Sequence, residues 1–67
     1  MIRVGVVGTG ALGQHHVRVY AGLPDVQLVG LVDLDTAQAA AVAAKHGCRA
    51  FASLEAMIEE VDAASVA

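Results

Sequence analysis

Residues 8–13 read Gly-Thr-Gly-Ala-Leu-Gly, and they separate an apolar stretch, Ile2 to Val7, from a segment with helical periodicity. The apolar stretch is short and rich in β-branched residues, which is typical of a strand buried on both faces of a parallel sheet. Asp33 stands 20 positions after Gly13. A glycine turn between strand and helix, with an acid at about that distance, predicts a dinucleotide-binding βαβ unit.

The next segments complete that unit and extend it. The first helix is predicted from Ala11 onward and is ended by Gly22 and Pro24. Its apolar face is predicted from a spacing of four, three and four, which joins Leu12, His16, Val19 and Leu23. Val26 to Asp33 has the composition of a second buried strand.

A second helix is predicted after Asp35, whose carboxylate can cap it with Gln38 at the third helical position, and Gly47 supplies the stop. Arg49 to Ala52 is a brief third strand, and Ser53 can cap a third helix. The apolar stripe of that helix is predicted to be Leu54, Met57, Ile58 and Val61.

Asp62 to Ala67 is predicted to be a fourth strand. The resulting alternation, βαβαβαβ, predicts an α/β fold: a partial Rossmann fold with a parallel, doubly wound sheet in strand order 3-2-1-4. A chain of 67 residues can form only a small core, and a hydrophobic content of 57% is better matched to a larger protein. We therefore expect residues 1–67 to be a truncated dinucleotide-binding domain without its C-terminal substrate domain, self-associating through the exposed fourth strand.

Charge and cysteine content exclude several classes of function. The formal net charge is -3, and the four Lys and Arg residues form no basic stripe along the sequence, so nucleic-acid binding has little support. Cys48 is the only cysteine, which suits a packing role and a cytoplasmic location. No apolar run reaches the roughly 18 residues of a membrane span, and glycines interrupt any signal-peptide helix.

The three glycines of the loop have separate tasks in a dinucleotide site. Gly8 permits the tight turn out of the strand, Gly10 lets the backbone approach a pyrophosphate, and Gly13 lets helix and strand pack closely. The N-terminus of the following helix then offers unpaired N–H groups to the phosphates, so no lysine is required. The loop lacks the Gly-Lys-Ser/Thr ending of a P-loop.

Asp33 favours NAD over NADP. Its carboxylate can accept hydrogen bonds from the adenosine ribose, whereas a 2′-phosphate would meet its negative charge, and Leu34 offers no cation. Asp35 is interpreted as a helix cap rather than a ligand. The candidate cofactor contacts are Gly8, Thr9, Gly10, Ala11, Leu12, Gly13, Asp33 and Leu34.

His15 and His16 are adjacent, which suggests a metal or acid–base pair. Neighbouring helical residues point about 100° apart, however, so the two imidazoles cannot easily reach one ion. His16 also lies on the predicted packing stripe, which favours a structural histidine with a hydrogen-bond partner. No catalytic residue and no metal ligand is predicted.

Three segments carry a family resemblance: residues 8–16 (Gly-Thr-Gly-Ala-Leu-Gly-Gln-His-His), residues 28–33 (Leu-Val-Gly-Leu-Val-Asp) and residues 61–67 (Val-Asp-Ala-Ala-Ser-Val-Ala). They resemble the N-terminal segment of the Gfo/Idh/MocA oxidoreductases. The resemblance implies a nicotinamide-binding Rossmann domain joined to a C-terminal α/β domain, and hydride transfer on sugars, inositols or related polyols.

The resemblance carries over Gly8, Gly10, Gly13 and Asp33 as cofactor contacts. It carries over no catalytic residue, because the family's Glu-Lys-Pro segment and its downstream histidine or lysine fall beyond Ala67. Two other classes stay open: a regulatory module that senses NAD(H) without chemistry, and a structural Rossmann fragment that no longer binds cofactor. A flavin enzyme is disfavoured because Val17 stands where a small residue is usual.

Overall fold

The computed structural model describes residues 1–67 as four strands that alternate with three helices. The strands are β1 (Ile2–Val7), β2 (Val26–Val32), β3 (Arg49–Ala50) and β4 (Ala63–Val66), and the helices are α1 (Ala11–Gly22), α2 (Thr36–His46) and α3 (Leu54–Ile58). All paired strands are parallel, in the order β3-β2-β1-β4. The predicted doubly wound sheet is therefore confirmed, with β3 and β4 each two residues shorter than expected.

The central strand β1 aligns the carboxyl ends of its two neighbours. Val7 is in register with Val32 of β2 and with Val66 of β4. The backbone N–H of Gly8 donates to the carbonyl of Val32 at 2.9 Å, and the N–H of Ala67 donates to the carbonyl of Val7 at 3.0 Å. The residues after three strands thus meet at one edge of the sheet, where parallel α/β folds bind ligands.

The predicted caps of α2 and α3 are present. Asp35 accepts a hydrogen bond from the Gln38 N–H at 3.0 Å, and Ser53 accepts one from the Ala56 N–H at 3.1 Å. Gly47 ends α2 in the left-handed conformation, at φ 69°, which glycine adopts without a Cβ penalty. None of the three helices combines the length and the apolar composition that a membrane crossing requires.

Apolar side chains cover both faces of the sheet. On one face, strands, α1 and α2 bury a cluster of six residues: Val6, Val17, Leu31, Ala39, Val42 and Ala43. On the other face, α3 and the residues after β3 bury Val32, Phe51 and Met57. Cys48 packs against the first cluster, and burial raises the pKa of its thiol, which confirms the expected packing role.

The apolar face predicted for α1 is wrong by one residue. Leu12, Val19 and Leu23 are 59%, 44% and 42% exposed, whereas Gly13 and Val17 are the buried residues of the helix. Gly13 lies against the end of β1 and so determines which side of α1 faces the sheet. Residues four positions apart lie on one helix face, so Val17 follows Gly13 into the core.

The stripe predicted for α3 is correct only in part. Met57 is fully buried and Val61 packs beside it, but Leu54 and Ile58 are 40% and 55% exposed. The helix has five residues, which is little more than one turn. One turn brings only one fully buried side chain onto the sheet.

Two glycines inside the strands leave room for these side chains, and neither was predicted to matter. Gly5 and Gly30 are register partners in β1 and β2. A Cβ at Gly5 would lie 2.5 Å from the Met57 sulfur, and one at Gly30 would lie 2.5 Å from the carbonyl oxygen of Arg49 and overlap the Phe51 ring. The Arg49 carbonyl belongs to the backbone, so it cannot rotate away from a Cβ at Gly30 as a side chain could.

Gly30→Ala should therefore lower the free energy of unfolding by about 2–3 kcal/mol, the upper range for an overpacked core. Gly5→Ala should cost less than about 1 kcal/mol, because the unbranched Met57 side chain can move. Urea unfolding followed by circular dichroism measures both. Gly22→Ala, with nothing near the added methyl group, is the control, and equal losses at Gly5 and Gly30 would contradict this packing.

Candidate functional site

The edge of the sheet at which β1, β2 and β4 end forms the candidate site. The glycine loop leaves β1, Asp33 follows β2, and Ala67 follows β4. The N-terminus of α1 begins within this edge, since Gly10 is its N-cap residue. Most of the candidate cofactor contacts predicted from the sequence are therefore brought together at this edge.

Gly8 and Gly13 form the closest contact between loop and helix. Gly8 has φ 95°, a conformation that residues with a Cβ rarely adopt. A Cβ at Gly13 would overlap the carbonyl oxygen of Gly8, so α1 can start this close to β1 only without a side chain there. These positions match the turn and packing tasks expected of the first and third glycines.

Gly10 lies in open space. A Cβ at this position would have no heavy atom within 4 Å, so nothing within the protein requires glycine there. Its φ of -67° and ψ of -170° are also accessible to any residue. The open space next to the loop backbone fits a close approach by a ligand.

The first turn of α1 has free N–H groups beside Gly10. No side chain caps the helix, and its first intrahelical bond runs from the Gln14 N–H to the Gly10 carbonyl at 2.9 Å. The N–H groups of Ala11, Leu12 and Gly13 are thus not used by the helix. Together with the positive end of the helix dipole, they favour an anion at this point.

Asp33 is held by the glycine loop and by its own turn. One carboxylate oxygen, Oδ2, accepts hydrogen bonds from the N–H of Thr9 at 2.5 Å and from its hydroxyl at 2.8 Å. The other, Oδ1, accepts one from the N–H of Asp35 at 2.8 Å. These bonds, the Asp35 one first, lower the pKa of Asp33, so the group is negatively charged at neutral pH.

Thr9 is the link between the loop and both helices of one sheet face. Its side chain is fully buried, and its carbonyl accepts hydrogen bonds from the carboxamides of Gln14, at 2.9 Å, and Gln38. The sequence marked Thr9 as a cofactor contact, but the structure uses its hydroxyl inside the protein. The Gln14 and Gln38 contacts were not predicted, because no local motif connects these residues.

A cleft of about 500 Å³ opens beside this loop. Its walls come from all four strand ends and from the start of α3, and the lining residues are Val7, Gly8, Val32, Asp33, Leu34, Ala52, Ser53, Leu54 and Ala67. Leu34 is fully exposed at its rim. Ala52, Ser53 and Leu54 were missed as site residues, although the predicted strand order places the end of β3 beside β2.

The two histidines of α1 point to different partners. The Nδ1 atom of His16 is 2.6 Å from the hydroxyl oxygen of Ser65 in β4, and the Nδ1 atom of His15 is 2.8 Å from the guanidinium of Arg18. The expected structural role of His16 agrees with this bond. No group of three histidine, cysteine or acidic side chains is placed to hold a metal ion.

The residues at this edge fit a dinucleotide. An ionised carboxylate offers about four acceptor positions, and Asp33 uses three of them within the protein, which leaves one on Oδ1 for a ribose hydroxyl. The free N–H groups suit a pyrophosphate, and the cleft suits an adenosine. Fold and site together define a dinucleotide-binding Rossmann domain.

The family is shown by comparison with known proteins. Residues 2–67 match the model of the Gfo/Idh/MocA group, described as an oxidoreductase family with an NAD-binding Rossmann fold. The chain belongs to this family, and its cofactor class is NAD.

Three relatives illustrate the match. The UDP-N-acetylglucosamine 3-dehydrogenase of Acidithiobacillus ferrooxidans is 46% identical over 97% of this chain, and its crystal structure superposes with a TM-score of 0.91. The inositol 2-dehydrogenase of Ralstonia nicotianae is 40% identical over 73% of the chain, which covers 15% of that protein. The myo-inositol dehydrogenase of Lactobacillus casei, solved with NAD(H) and myo-inositol, has a TM-score of 0.88 at 25% identity, with 100% of this chain and 21% of the other covered.

The chain spans about a fifth of the length of the first of these relatives, 20% of its sequence and 21% of its solved chain. The matched part is the NAD-binding Rossmann fold.

Because of Asp33, the free energy of unfolding of the chain should decrease at acid pH. Its folded-state pKa is below its ordinary value of 3.8, so its contribution is complete above that value and is lost as the pH falls through the lowered pKa. Asp33→Asn should therefore be less stable than wild type at about pH 7, and the difference should shrink towards about pH 3.

Urea unfolding across this pH range measures the effect. Gln14→Ala is the matched control, because it also removes a hydrogen bond to Thr9 but no titrating group, so its deficit should not change with Asp33 protonation. A deficit for Asp33→Asn that stays constant down to about pH 3 would contradict the role of the ionised carboxylate.

Proposed function

We propose that the chain is the NAD-binding part of an oxidoreductase that transfers hydride between the nicotinamide and a sugar, an inositol or a related polyol. The observation that carries the proposal is the Thr9–Asp33 contact, which joins the glycine loop to the ionised acid after β2 beside an open cleft. The substrate class rests on the relatives, which are dehydrogenases of a sugar nucleotide and of inositol.

In this proposal the pyrophosphate lies over Gly10 and accepts hydrogen bonds from the first N–H groups of α1. The remaining acceptor position of Asp33 takes a ribose hydroxyl, and the adenosine occupies the cleft beside Leu34. Gly8 and Gly13 shape the loop. Thr9 contributes through its hold on Asp33, since its side chain is buried and its backbone N–H and carbonyl are bonded within the protein.

The same charges support NAD rather than NADP. A 2′-phosphate would approach the ionised Asp33 and the nearby Asp35, and like charges at such a distance oppose binding. Leu34, which is fully exposed at the rim of the cleft, has no positive group with which to compensate.

We further propose that residues 1–67 bind the cofactor without completing the reaction. Bound NAD supplies the hydride-accepting carbon, but hydride transfer also needs a held substrate and a group that takes the hydroxyl proton. The residues of the cleft other than Asp33 are apolar or small, and Asp33 is assigned to the ribose. The relatives, about five times longer, support a separate substrate domain.

Self-association through β4 stays a prediction. This strand pairs with β1 only, so its other edge has unpaired backbone groups, and Val66 is 78% exposed. Such an edge can pair with another chain.

Gly10→Val tests the binding site without disturbing the fold. Because a Cβ at Gly10 has no protein atom within 4 Å, the variant should fold with the helix content of the wild type and lose only about 1 kcal/mol of stability, since valine is a poorer N-cap residue than glycine. Its branched side chain should block the pyrophosphate. We expect titration calorimetry to show at least a tenfold loss of NAD affinity, or about 1.4 kcal/mol.

Gly13→Ala is the contrasting control, since a Cβ there overlaps the Gly8 carbonyl and should reduce stability as well as binding. Gly10→Val with wild-type NAD affinity would refute the proposed phosphate position. Formation of NADH from a polyol by the wild-type chain alone would refute the proposal that residues 1–67 do not complete the reaction.

A further inference from the structure

A second concavity lies between α1 and α2 and reaches the start of α1 at Ala11, next to the glycine loop. This helix groove has a volume of about 280 Å³ and is lined by Ala11, Gln14, His15, Arg18, Lys45 and His46. It shares no lining residue with the cleft beside Asp33. Four of its six lining residues have basic side chains, in a chain whose net charge is -3.

The positive charge of the helix groove results from a separation of charges along the chain. Neither α1 nor α2 contains an aspartate or a glutamate. Four of the seven acidic residues lie in or directly after α3, which packs on the other face of the sheet: Glu55, Glu59, Glu60 and Asp62. The outer surface of the α1–α2 layer therefore has cations without carboxylates between them.

Ion pairing distinguishes the cations of the helix groove from the others. Arg3 pairs with Asp62 at 3.3 Å, and Arg49 pairs with Glu60 at 2.7 Å. Arg18 and Lys45, the remaining arginine and lysine, have no carboxylate within ion-pair distance, and both line the groove. The contact between Arg18 and the Nδ1 atom of His15 holds that guanidinium at the groove wall.

We propose that the helix groove binds a phosphate dianion, either inorganic phosphate or the phosphate of a small phosphomonoester. A planar guanidinium suits bidentate contact with phosphate, an ammonium adds a point charge, and imidazole N–H groups add donors. The volume is near the lower limit of small-molecule sites, about 300 Å³, which fits a phosphate with a short substituent. Convergence of the donors in a concavity favours this ligand over a flat acidic protein surface.

The position of the helix groove connects it to the glycine loop. Gln14 lines the groove, and its carboxamide donates to the Thr9 carbonyl. Lys45 lies in the last turn of α2, where its positive charge offsets the negative end of the helix dipole, which would otherwise oppose an anion. A phosphate bound in the groove would contact Gln14 without entering the cleft beside Asp33.

Nuclear magnetic resonance of the ¹⁵N-labelled 67-residue chain tests the proposal. Inorganic phosphate and glycerol 3-phosphate are titrated separately, with sodium chloride keeping the ionic strength constant. We expect saturable amide shifts for Gln14, His15, Lys45 and His46 with at least one of the two phosphates, and the ratio of the two dissociation constants shows whether the site takes free phosphate or a phosphomonoester. Arg18→Gln and Lys45→Gln should each weaken binding about tenfold, the cost of one charge-assisted contact.

Two variants separate this site from general charge effects and from the cofactor site. Arg3→Gln makes the same charge change at a paired arginine and should retain affinity within about twofold. Gly10→Val should also retain phosphate affinity, whatever its effect on NAD. Both variants alter residues outside the helix groove.

Three results would overturn the proposal. The first is a linear, unsaturated response at the groove amides, and the second is an equal loss of binding in Arg3→Gln. The third is a response confined to the amides of Gly10 and Leu12, which do not line the groove and would place the anion at the cofactor loop. Binding of polyglutamate at the groove without binding of either phosphate would instead make it a protein-docking surface.

Discussion

The contact between Thr9 and the Asp33 carboxylate is the constraint on which the rest of the site depends. It joins the residue after β1 to the residue after β2, and it is made by a fully buried side chain. A buried hydroxyl without a partner would be costly, so Thr9 and Asp33 stabilise each other's position. The contact occupies Oδ2 of the carboxylate with two hydrogen bonds, so a further donor has to approach through Oδ1.

The glycine loop also packs closely on the start of α1. Gly8 turns at positive φ, and Gly13 lies against its carbonyl oxygen. The position of α1 is therefore set by backbone contact at the site and only afterwards by side-chain packing along the helix. Gly10 differs from both, because no contact within the protein requires a glycine there, and the space beside the loop backbone is open.

Local signals made much of the fold predictable. Each β-branched run became a strand, and the caps at Asp35, Gly47 and Ser53 have the expected geometry, because these preferences act within a few residues. The apolar face of α1 was predicted wrongly from periodicity alone. Periodicity does not include the backbone contact of Gly13 with Gly8, which turns Gly13 and Val17 towards the sheet.

Long-range contacts were not predictable in the same way. Gly5 and Gly30 read as ordinary strand glycines until Met57 and Phe51 are placed above them. The carboxamide contacts of Gln14 and Gln38 with Thr9 join residues 5 and 29 positions apart. The four Lys and Arg residues look scattered in the sequence, yet the helix packing brings Arg18 and Lys45 to one groove.

Mapping NAD on the ¹⁵N-labelled chain tests the central assignment most directly, because it locates the cofactor and does not depend on a variant. We expect saturable shifts for the amides of Gly10, Ala11 and Leu12 at the start of α1, and for Leu34 and Ser53 around the cleft. Saturable shifts elsewhere with none at these positions, or no saturable response to NAD, would contradict the proposal that the edge organised by Thr9 and Asp33 is the NAD site.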